Sequence, residues 1–199
     1  MYELSVTLDE RTPAYPGDPK FTVEKVGEFT GEGYEDHRLT MGTHTGTHID
    51  APAHMVPGGK TLDQFPVDTF LGEAVCIKGF DIDEMEAVRV KQGDIVLFYT
   101  GMSQQFYEPE YFTDYPVMGD NLAAYLVEKR VKMVGVDTCS VDNVEEFPIH
   151  KRLLGADILL IENLTNLEQL AGKRCRLTAL PLKLQLDAAP ARVIAEVIS

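Results

Sequence analysis

The chain has 199 residues, of which 44% are hydrophobic and 25% are charged. This composition is typical of a globular protein with one core, and no apolar run approaches the ~20 residues that span a bilayer. The formal net charge of −14 makes the surface repel phosphate backbones. We therefore expect one domain over residues 1–199, with no membrane partner and no nucleic-acid partner.

The N-terminus and the cysteines favour a cytoplasmic protein. The first residues, MYELSVTLDERTP, contain an acid at Glu3 and lack the apolar segment of a secretory signal. Cys76, Cys139 and Cys175 are odd in number, widely spaced and without a C-x-x-C pair. This spacing favours buried free thiols over a disulfide framework.

Short strands dominate the predicted secondary structure. Alternating or compact apolar residues predict nine strands, over residues 3–8, 21–29, 37–43, 74–78, 94–99, 132–136, 157–161, 175–184 and 192–198. Helices are predicted between some of them, so the expected class is mixed α/β.

Two segments have the apolar spacing of a helix. The clearer one begins after Gly119-Asp120, where an acidic residue precedes Leu122, Tyr125 and Leu126 and the last turn is basic. A second helix is predicted through residues 163–170, in which Leu164, Leu167 and Leu170 would face the core.

The stretch HTGTHIDAPAH, residues 44–54, contains three of the five histidines of the chain. Its donors occupy even positions, so an extended chain would point them to one side, whereas a helix would scatter them. Four donors share this pattern, namely His44, His48, Asp50 and His54. Gly46 and Pro52 also oppose a helix, and Thr45 stands where the zincin helix has a glutamate. Because a strand rises ~3.3 Å per residue, we expect a bend at residues 45–47 to bring the first two histidines together.

This concentration of donors favours a metal site. Two imidazoles and a carboxylate at close spacing are ligands expected of zinc, manganese or iron. The alternative is a chance grouping of surface or core histidines, which a single histidine would favour. Glu162 also favours a metal site. A carboxylate directly after the apolar residues 158–161 is costly to bury unless it is paired or bound to a cation. A salt bridge to an arginine is the alternative for Glu162.

HTGTHIDAPAH resembles the H-x-G-T-H-x-D-x-P-x-H signature of the cyclase family of metal-dependent hydrolases, which includes bacterial kynurenine formamidase and isatin hydrolase. Four other segments are similar to family segments in the same order, namely YPGDP from Tyr15, GVDTCSVD from Gly135, ENLTNL from Glu162 and PLKL from Pro181. The resemblance implies a swivelling β/β/α domain, a strand-rich mixed sheet with a few short helices, and a homodimer.

The resemblance also implies a two-metal site. His44, His48 and Asp50 would bind one ion, and Asp50 would bridge to a second ion that His150 and Glu162 also bind. The expected ions are Zn²⁺, with Mn²⁺ or Fe²⁺ as alternatives. For His150, which follows Phe-Pro-Ile, a histidine at a helix start without a ligand role is the alternative reading.

The implied activity is hydrolysis of an amide of a small-molecule substrate by a metal-bound hydroxide, with His54 as the free proton donor and acceptor. An N-formyl aryl amide is expected, as in the conversion of N-formylkynurenine to kynurenine and formate in tryptophan catabolism. The alternatives are a hydrolase of a cyclic amide or ester, such as an isatin-like lactam, and a non-catalytic metal-binding protein.

Substrate selection is where the chain departs from the formamidase pattern. It has no tryptophan, and Tyr15 stands where the formamidases often place one, so Tyr15 is our candidate substrate-binding residue. A tyrosine packed under its own loop is the alternative. The segment from Asp187 to Pro190 replaces a more glycine-rich family segment, and His37 has no assigned role.

Overall fold

The computed structural model describes residues 1–198, apart from the side chain of residue 86. Within this range ten strands and three α-helices form the fold. In chain order they are β1 (Tyr2–Glu3), β2 (Thr22–Gly27), β3 (Asp36–Thr40), β4 (His48–Asp50), β5 (Leu71–Lys78), α1 (Ile82–Ala87), β6 (Ile95–Tyr99), α2 (Asp120–Lys129), β7 (Met133–Val136), α3 (Pro148–Gly155), β8 (Leu159–Glu162), β9 (Arg174–Pro181) and β10 (Ala188–Val197).

Seven strands close into a barrel because β10 pairs with strands on both of its edges. The order is β10-β4-β8-β7-β6-β5-β9, and β9 pairs again with β10, while β1 lies beside β10. Strands β5, β6, β7 and β8 run parallel to one another, and the remaining pairs are antiparallel. The expected strand-rich α/β class with a mixed sheet and few helices is therefore confirmed.

Apolar side chains alternate between two cores on the two faces of the barrel wall. Ala74 and Cys76 of β5 belong to the inner core, and Val75 and Ile77 belong to the outer core under the helices. This alternation follows from the two-residue period of a strand. Because apolar cores cover both faces of the barrel wall, the strands predicted from the sequence are mostly continuous apolar runs.

The helix after Gly119 is confirmed as α2, and its predicted apolar face is buried at Leu122 and Leu126. It ends at Lys129, because Arg130 adopts a left-handed conformation with φ of 53°. Helix α3 has no counterpart among the predicted elements. Pro148 occupies its first turn, which suits a residue without an amide hydrogen.

The predicted helix over residues 163–170 is wrong. Only a short 3-10 turn forms, at Leu167–Gln169. Asn163 and Asn166 both have φ of 57°, and residues in the left-handed region interrupt an α-helix. The leucines of this segment are nevertheless buried, as expected, in the inner core. Burial was therefore predicted correctly although the backbone conformation was not.

The three cysteines are buried free thiols, as their spacing predicts. Burial raises the pKa of Cys76 and Cys139 to about 12, which makes these thiols unreactive. Among residues 1–198, the helices are all too short or too polar to traverse a lipid bilayer.

The predicted bend before β4 is present at Gly46, whose φ is +61°. A β-carbon at this position would overlap Leu8 Cδ2 and lie 3.2 Å from Val6 Cγ2. Gly58 also has a positive φ, of +73°, but a β-carbon there would have no neighbour within 4 Å. Comparing substitutions at Gly46 and Gly58 therefore separates the energetic cost of backbone strain from that of steric overlap.

Gly46→Ala should lower the free energy of unfolding by about 1–2 kcal/mol through strain, and the overlap should add about 1–3 kcal/mol. Gly58→Ala should cost about 1–2 kcal/mol, because only strain applies. Chemical denaturation of both variants measures the difference. Equal losses would contradict the steric role of the bend.

Candidate metal centre

The core of the site lies on two neighbouring strands of the barrel. In the register of β4 and β8, His48 lies opposite Glu162 and Asp50 lies opposite Leu160. Ile49, between the two β4 donors, faces the inner core. His48, Asp50 and Glu162 therefore share the outer face of the wall, towards α3, as the even spacing of the donors predicts.

Turns on either side of β4 add two more histidines. His44 lies in the turn before Gly46, and His54 lies in the short 3-10 helix Pro52–His54. The ring centroid of His44 is 4.9 Å from that of His48 and 4.2 Å from that of His54. The bend thus brings together side chains that a straight strand would hold far apart.

His150 reaches the same place from the first turn of α3. Asp142 orients it by accepting hydrogen bonds from the backbone amides of Ile149 and His150, at 3.1 and 2.9 Å. Its Oδ2 also lies 2.8 Å from His150 Nδ1. A single carboxylate therefore accepts hydrogen bonds from the first-turn amides of α3 and also orients the His150 ring.

Asp50 lies at the centre of the cluster. Its Oδ1 is 2.9 Å from His44 Nδ1 and 3.3 Å from His48 Nε2, and its Oδ2 is 3.9 Å from His150 Nε2. Glu162 is within 3.5 Å of His48 Nε2 and 3.2 Å of His150 Nε2. Two groups of potential ligands share Asp50, the first with His44 and His48 and the second with His150 and Glu162.

The donor set fits divalent cations. His48 Nε2, both carboxylate oxygens of Asp50 and Glu162 Oε1 are buried, and none has a hydrogen-bond partner in the described part of the chain. Several of these atoms are at ion-pair distance from one another, but not in hydrogen-bonding geometry. Each buried polar atom without a hydrogen-bond partner lowers the stability of the fold by about 1–3 kcal/mol, and a charged one lowers it by more. Cations between these atoms would remove that cost, and nitrogen and oxygen donors suit zinc, manganese and iron.

The second ring nitrogen of each proposed histidine ligand is hydrogen-bonded away from the cluster. His48 Nδ1 is 2.9 Å from the carbonyl oxygen of Gly46, His150 Nδ1 is bonded to Asp142, and His44 Nε2 is 3.1 Å from Asp187 Oδ2. Such bonds fix the ring and its tautomer in metal sites. They leave one nitrogen of each ring directed at the carboxylates.

The site attracts positive charge. Burial disfavours the ionised form of Asp50, but the charges of His48 and His44 hold its pKa well below the usual value. Burial likewise opposes protonation of His150, yet the hydrogen bond to Asp142 and the nearby Glu162 carboxylate raise its pKa to about 10. Without cations, protonated imidazoles would therefore balance the carboxylates, and metal binding would displace those protons.

A cavity of about 210 Å³ opens in front of the cluster, and His54 is among its lining residues. The rest of the lining includes four aromatic rings, those of Tyr15, Phe106, Phe112 and Phe147. Tyr15 is 39% exposed and lies edge-on to Phe112, with ring centroids 6.0 Å apart. An aromatic wall of this kind suits a planar substrate.

The fold thus brings together every residue proposed from the sequence. Two carboxylates were missed, Asp142 and Asp187. Asp187 lies 3.1 Å from His44 Nε2 and 3.4 Å from His54 Nδ1, although the sequence places it more than a hundred residues away. The sequence marked residues 187–190 only as a departure from a family segment, and it gave no indication that Asp187 contacts the histidines. His37, on β3, pairs with Glu35 at the surface, so it lies outside the cluster.

Comparisons with known proteins identify the family of the chain. A family model described as "Putative cyclase" matches residues 2–143. The kynurenine formamidase of Geobacillus thermodenitrificans is 32% identical over 200 residues, which cover 96% of this chain and 94% of that protein.

Two solved structures are also similar. A predicted metal-dependent hydrolase from Bacillus stearothermophilus has a TM-score of 0.80 at 31% identity, covering 98% of this chain and 96% of that one. Isatin hydrolase A from Ralstonia solanacearum has a TM-score of 0.83 at 25% identity, covering 98% and 90%. The chain therefore belongs to the cyclase family of metal-dependent hydrolases.

Proposed function

We propose that this metal-dependent amidohydrolase cleaves an N-formyl aryl amide, with N-formylkynurenine, hydrolysed to kynurenine and formate, as the expected substrate. The observation that carries the proposal is the buried Asp50 carboxylate, shared by two groups of ligands beside an aromatic-lined cavity. The similarity to kynurenine formamidase supports the reaction class.

His44, His48 and Asp50 would hold one ion, and Asp50, His150 and Glu162 would hold the other. Zn²⁺ is the expected metal, with Mn²⁺ and Fe²⁺ as alternatives. When bound, the ions would supply Lewis acidity for the substrate carbonyl and lower the pKa of water. The five protein ligands keep this chemistry at one end of the cavity.

His54 is the proposed proton carrier. It lines the cavity, and burial lowers its pKa, so the neutral ring can accept a proton near neutral pH. Its Nδ1 faces Asp187, which leaves Nε2 to take a proton from the attacking water and pass it to the leaving nitrogen. Protonation is required because an amide nitrogen is a poor leaving group without it.

The aromatic rings around the cavity favour an aryl substrate. Tyr15 is the residue we propose for stacking on it, and the enclosed volume of about 210 Å³ suits a small molecule. The similarity to isatin hydrolase supports a second candidate, a cyclic amide or ester opened at the same site. A purely structural metal site would need no proton carrier in a cavity, which argues against a non-catalytic protein.

A homodimer in the cytoplasm completes the proposal. The resemblance to the cyclase family supports the dimer, and the three free thiols suit a reducing compartment. Light scattering of the purified protein measures the oligomeric state.

Metal reconstitution tests the function directly. Protein loaded with Zn²⁺, Mn²⁺ or Fe²⁺ should bind up to two ions per chain and hydrolyse a formyl anilide faster than lactams or lactones. Chelation should abolish the activity. Asp50→Asn should lose at least one ion, because it removes the shared ligand, whereas Asp36→Asn on β3 should keep both.

Elemental analysis and a hydrolysis assay give the two readouts. Full activity in excess chelator would contradict the proposal, and two tightly held ions in the Asp50 variant would contradict the bridging role. Faster opening of a lactam than of the anilide would favour the second candidate.

His54→Ala should separate proton transfer from metal binding. Turnover should fall by about 10²–10⁴-fold, as for other general acid-base groups, with metal content unchanged. His48→Ala should lose metal and turnover together, and His37→Ala, at the surface, should change neither. The measurements are kcat and metal content, and loss of metal from the His54 variant would make His54 a ligand.

Tyr15→Ala should raise KM for aryl amides about 2- to 12-fold, which corresponds to the 0.5–1.5 kcal/mol of a ring contact. KM for a small alkyl formamide should change much less. Tyr34→Ala provides the control. Tyr34 is exposed in the connection between β2 and β3 and does not line the cavity. Steady-state kinetics on one aryl and one alkyl formamide decide the matter, and equal effects on both would remove Tyr15 from the substrate site.

A further inference from the structure

Asp187 lies where the end of the histidine motif meets the last strand. Its carbonyl oxygen accepts a hydrogen bond from the amide of Ala51 at 2.8 Å, and the next residue, Ala188, pairs with Asp50 in the register of β10 and β4. The backbone therefore fixes the position of Asp187 relative to the metal centre. Its side chain is 35% exposed.

One oxygen of Asp187 contacts two histidines with different proposed roles. Oδ2 lies 3.1 Å from Nε2 of His44, the proposed ligand, and 3.4 Å from Nδ1 of His54, the proposed proton carrier. A carboxylate only accepts hydrogen bonds, so His44 Nε2 must carry a proton to bond to Asp187. At His54 the contact is an ion pair at 3.4 Å, and the negative charge of Asp187 favours a proton on the facing Nδ1. The lone pair of each neutral ring then belongs to the opposite nitrogen.

We infer that Asp187 is a positioning residue that orients both rings and thereby couples proton transfer to metal binding. This inference rests on the proposed function. With the proton on Nε2, His44 directs the lone pair of Nδ1 at Asp50 Oδ1, 2.9 Å away. With the proton on Nδ1, His54 keeps Nε2 free to accept a proton from water. The same carboxylate stabilises the imidazolium that forms at His54.

The hydrogen bonds that orient His150 and His48 differ from the contacts of Asp187 in one respect. Asp142 orients His150, and the Gly46 carbonyl oxygen orients His48. Each of these acceptors bonds the ring of one proposed ligand, whereas Asp187 contacts a ligand and the proton carrier together. Loss of Asp187 should therefore affect turnover even when the metal sites are full, and loss of Asp142 should act through metal occupancy.

An alternative role for the same atoms is cation binding. One donor atom each of His44, His54 and Asp187 lies within 4.8 Å of the others. All three side chains are partly exposed, and an ion there would occupy the two ring nitrogens that face Asp187. Its signature would be inhibition by excess metal, which the experiment below includes.

The test is a double-mutant cycle at saturating metal, with a formyl anilide as substrate. Asp187→Asn, which preserves side-chain shape, should lower kcat about 10- to 100-fold with little change in KM. In the His54→Ala background, the same substitution should lower kcat less than about twofold, because the residue through which it acts is gone. Losses of equal size in the two backgrounds would overturn the inference.

Zinc titration of the same proteins tests the contact with His44 without any substrate. Asp187→Asn should weaken binding about 10- to 100-fold, and Asp81→Asn, at an exposed turn, provides the matched control. Unchanged affinity would overturn this half of the inference. Excess-zinc inhibition that Asp187→Asn relieves, with kcat intact at stoichiometric zinc, would assign a cation site instead.

The outcomes distinguish failure of the inference from failure of the proposed function. A metal-loaded wild-type protein that hydrolyses none of the amides contradicts the function and, with it, the proton-carrier half of the inference, while the zinc titration still decides the other half. Thermal unfolding of the apoproteins should be the same for Asp187→Asn and wild type. A large loss of stability would make Asp187 a structural residue and overturn the inference.

Discussion

The burial of two carboxylates among three imidazoles is the constraint on which the site depends. Asp50 and Glu162 are 0% and 5% exposed, and they lie on the same face of the neighbouring strands β4 and β8. Two like charges in a desolvated position repel one another and lose hydration, so they need compensating positive charge. The histidines can supply it as protons, and four buried polar atoms of the cluster still have no hydrogen-bond partner in the described part of the chain.

Side-chain hydrogen bonds around Asn163 hold the elements of this cluster together. Asn163, directly after Glu162, donates from Nδ2 to the Gly46 carbonyl oxygen at 2.8 Å and accepts from the Tyr111 hydroxyl at 2.7 Å. The Thr47 hydroxyl donates to the Asn163 carbonyl oxygen at 2.6 Å. These bonds join the bend before β4 to the end of β8. Asn163 has a left-handed conformation, which prevents the predicted helix. In this conformation Asn163 connects the bend before β4 to the end of β8, the two segments that carry proposed ligands.

What could be predicted from the sequence depended on local patterns. The donors of residues 44–54 follow a two-residue period, and Glu162 follows an apolar strand, so their grouping was predictable. The leucines after Glu162 have helical spacing, but the hydrogen bonds of Asn163 come from residues more than fifty positions away. Tertiary contacts thus override local preference at that point. Asp142 ends the segment GVDTCSVD and Asp187 begins residues 187–190, but their contacts with the histidines exist only in the folded chain.

The chemistry and the choice of substrate are supported by different parts of the fold. Strands β4 and β8 and the first turn of α3 carry most of the proposed ligands, on a wall with apolar cores on both faces. The aromatic lining comes instead from connecting segments between the strands, namely Tyr15, Phe106, Phe147 and, in a short 3-10 helix, Phe112. Loops tolerate substitution far better than packed strands. We therefore expect aromatic substitutions in these segments to change the substrate while the proposed metal ligands and His54 stay in place.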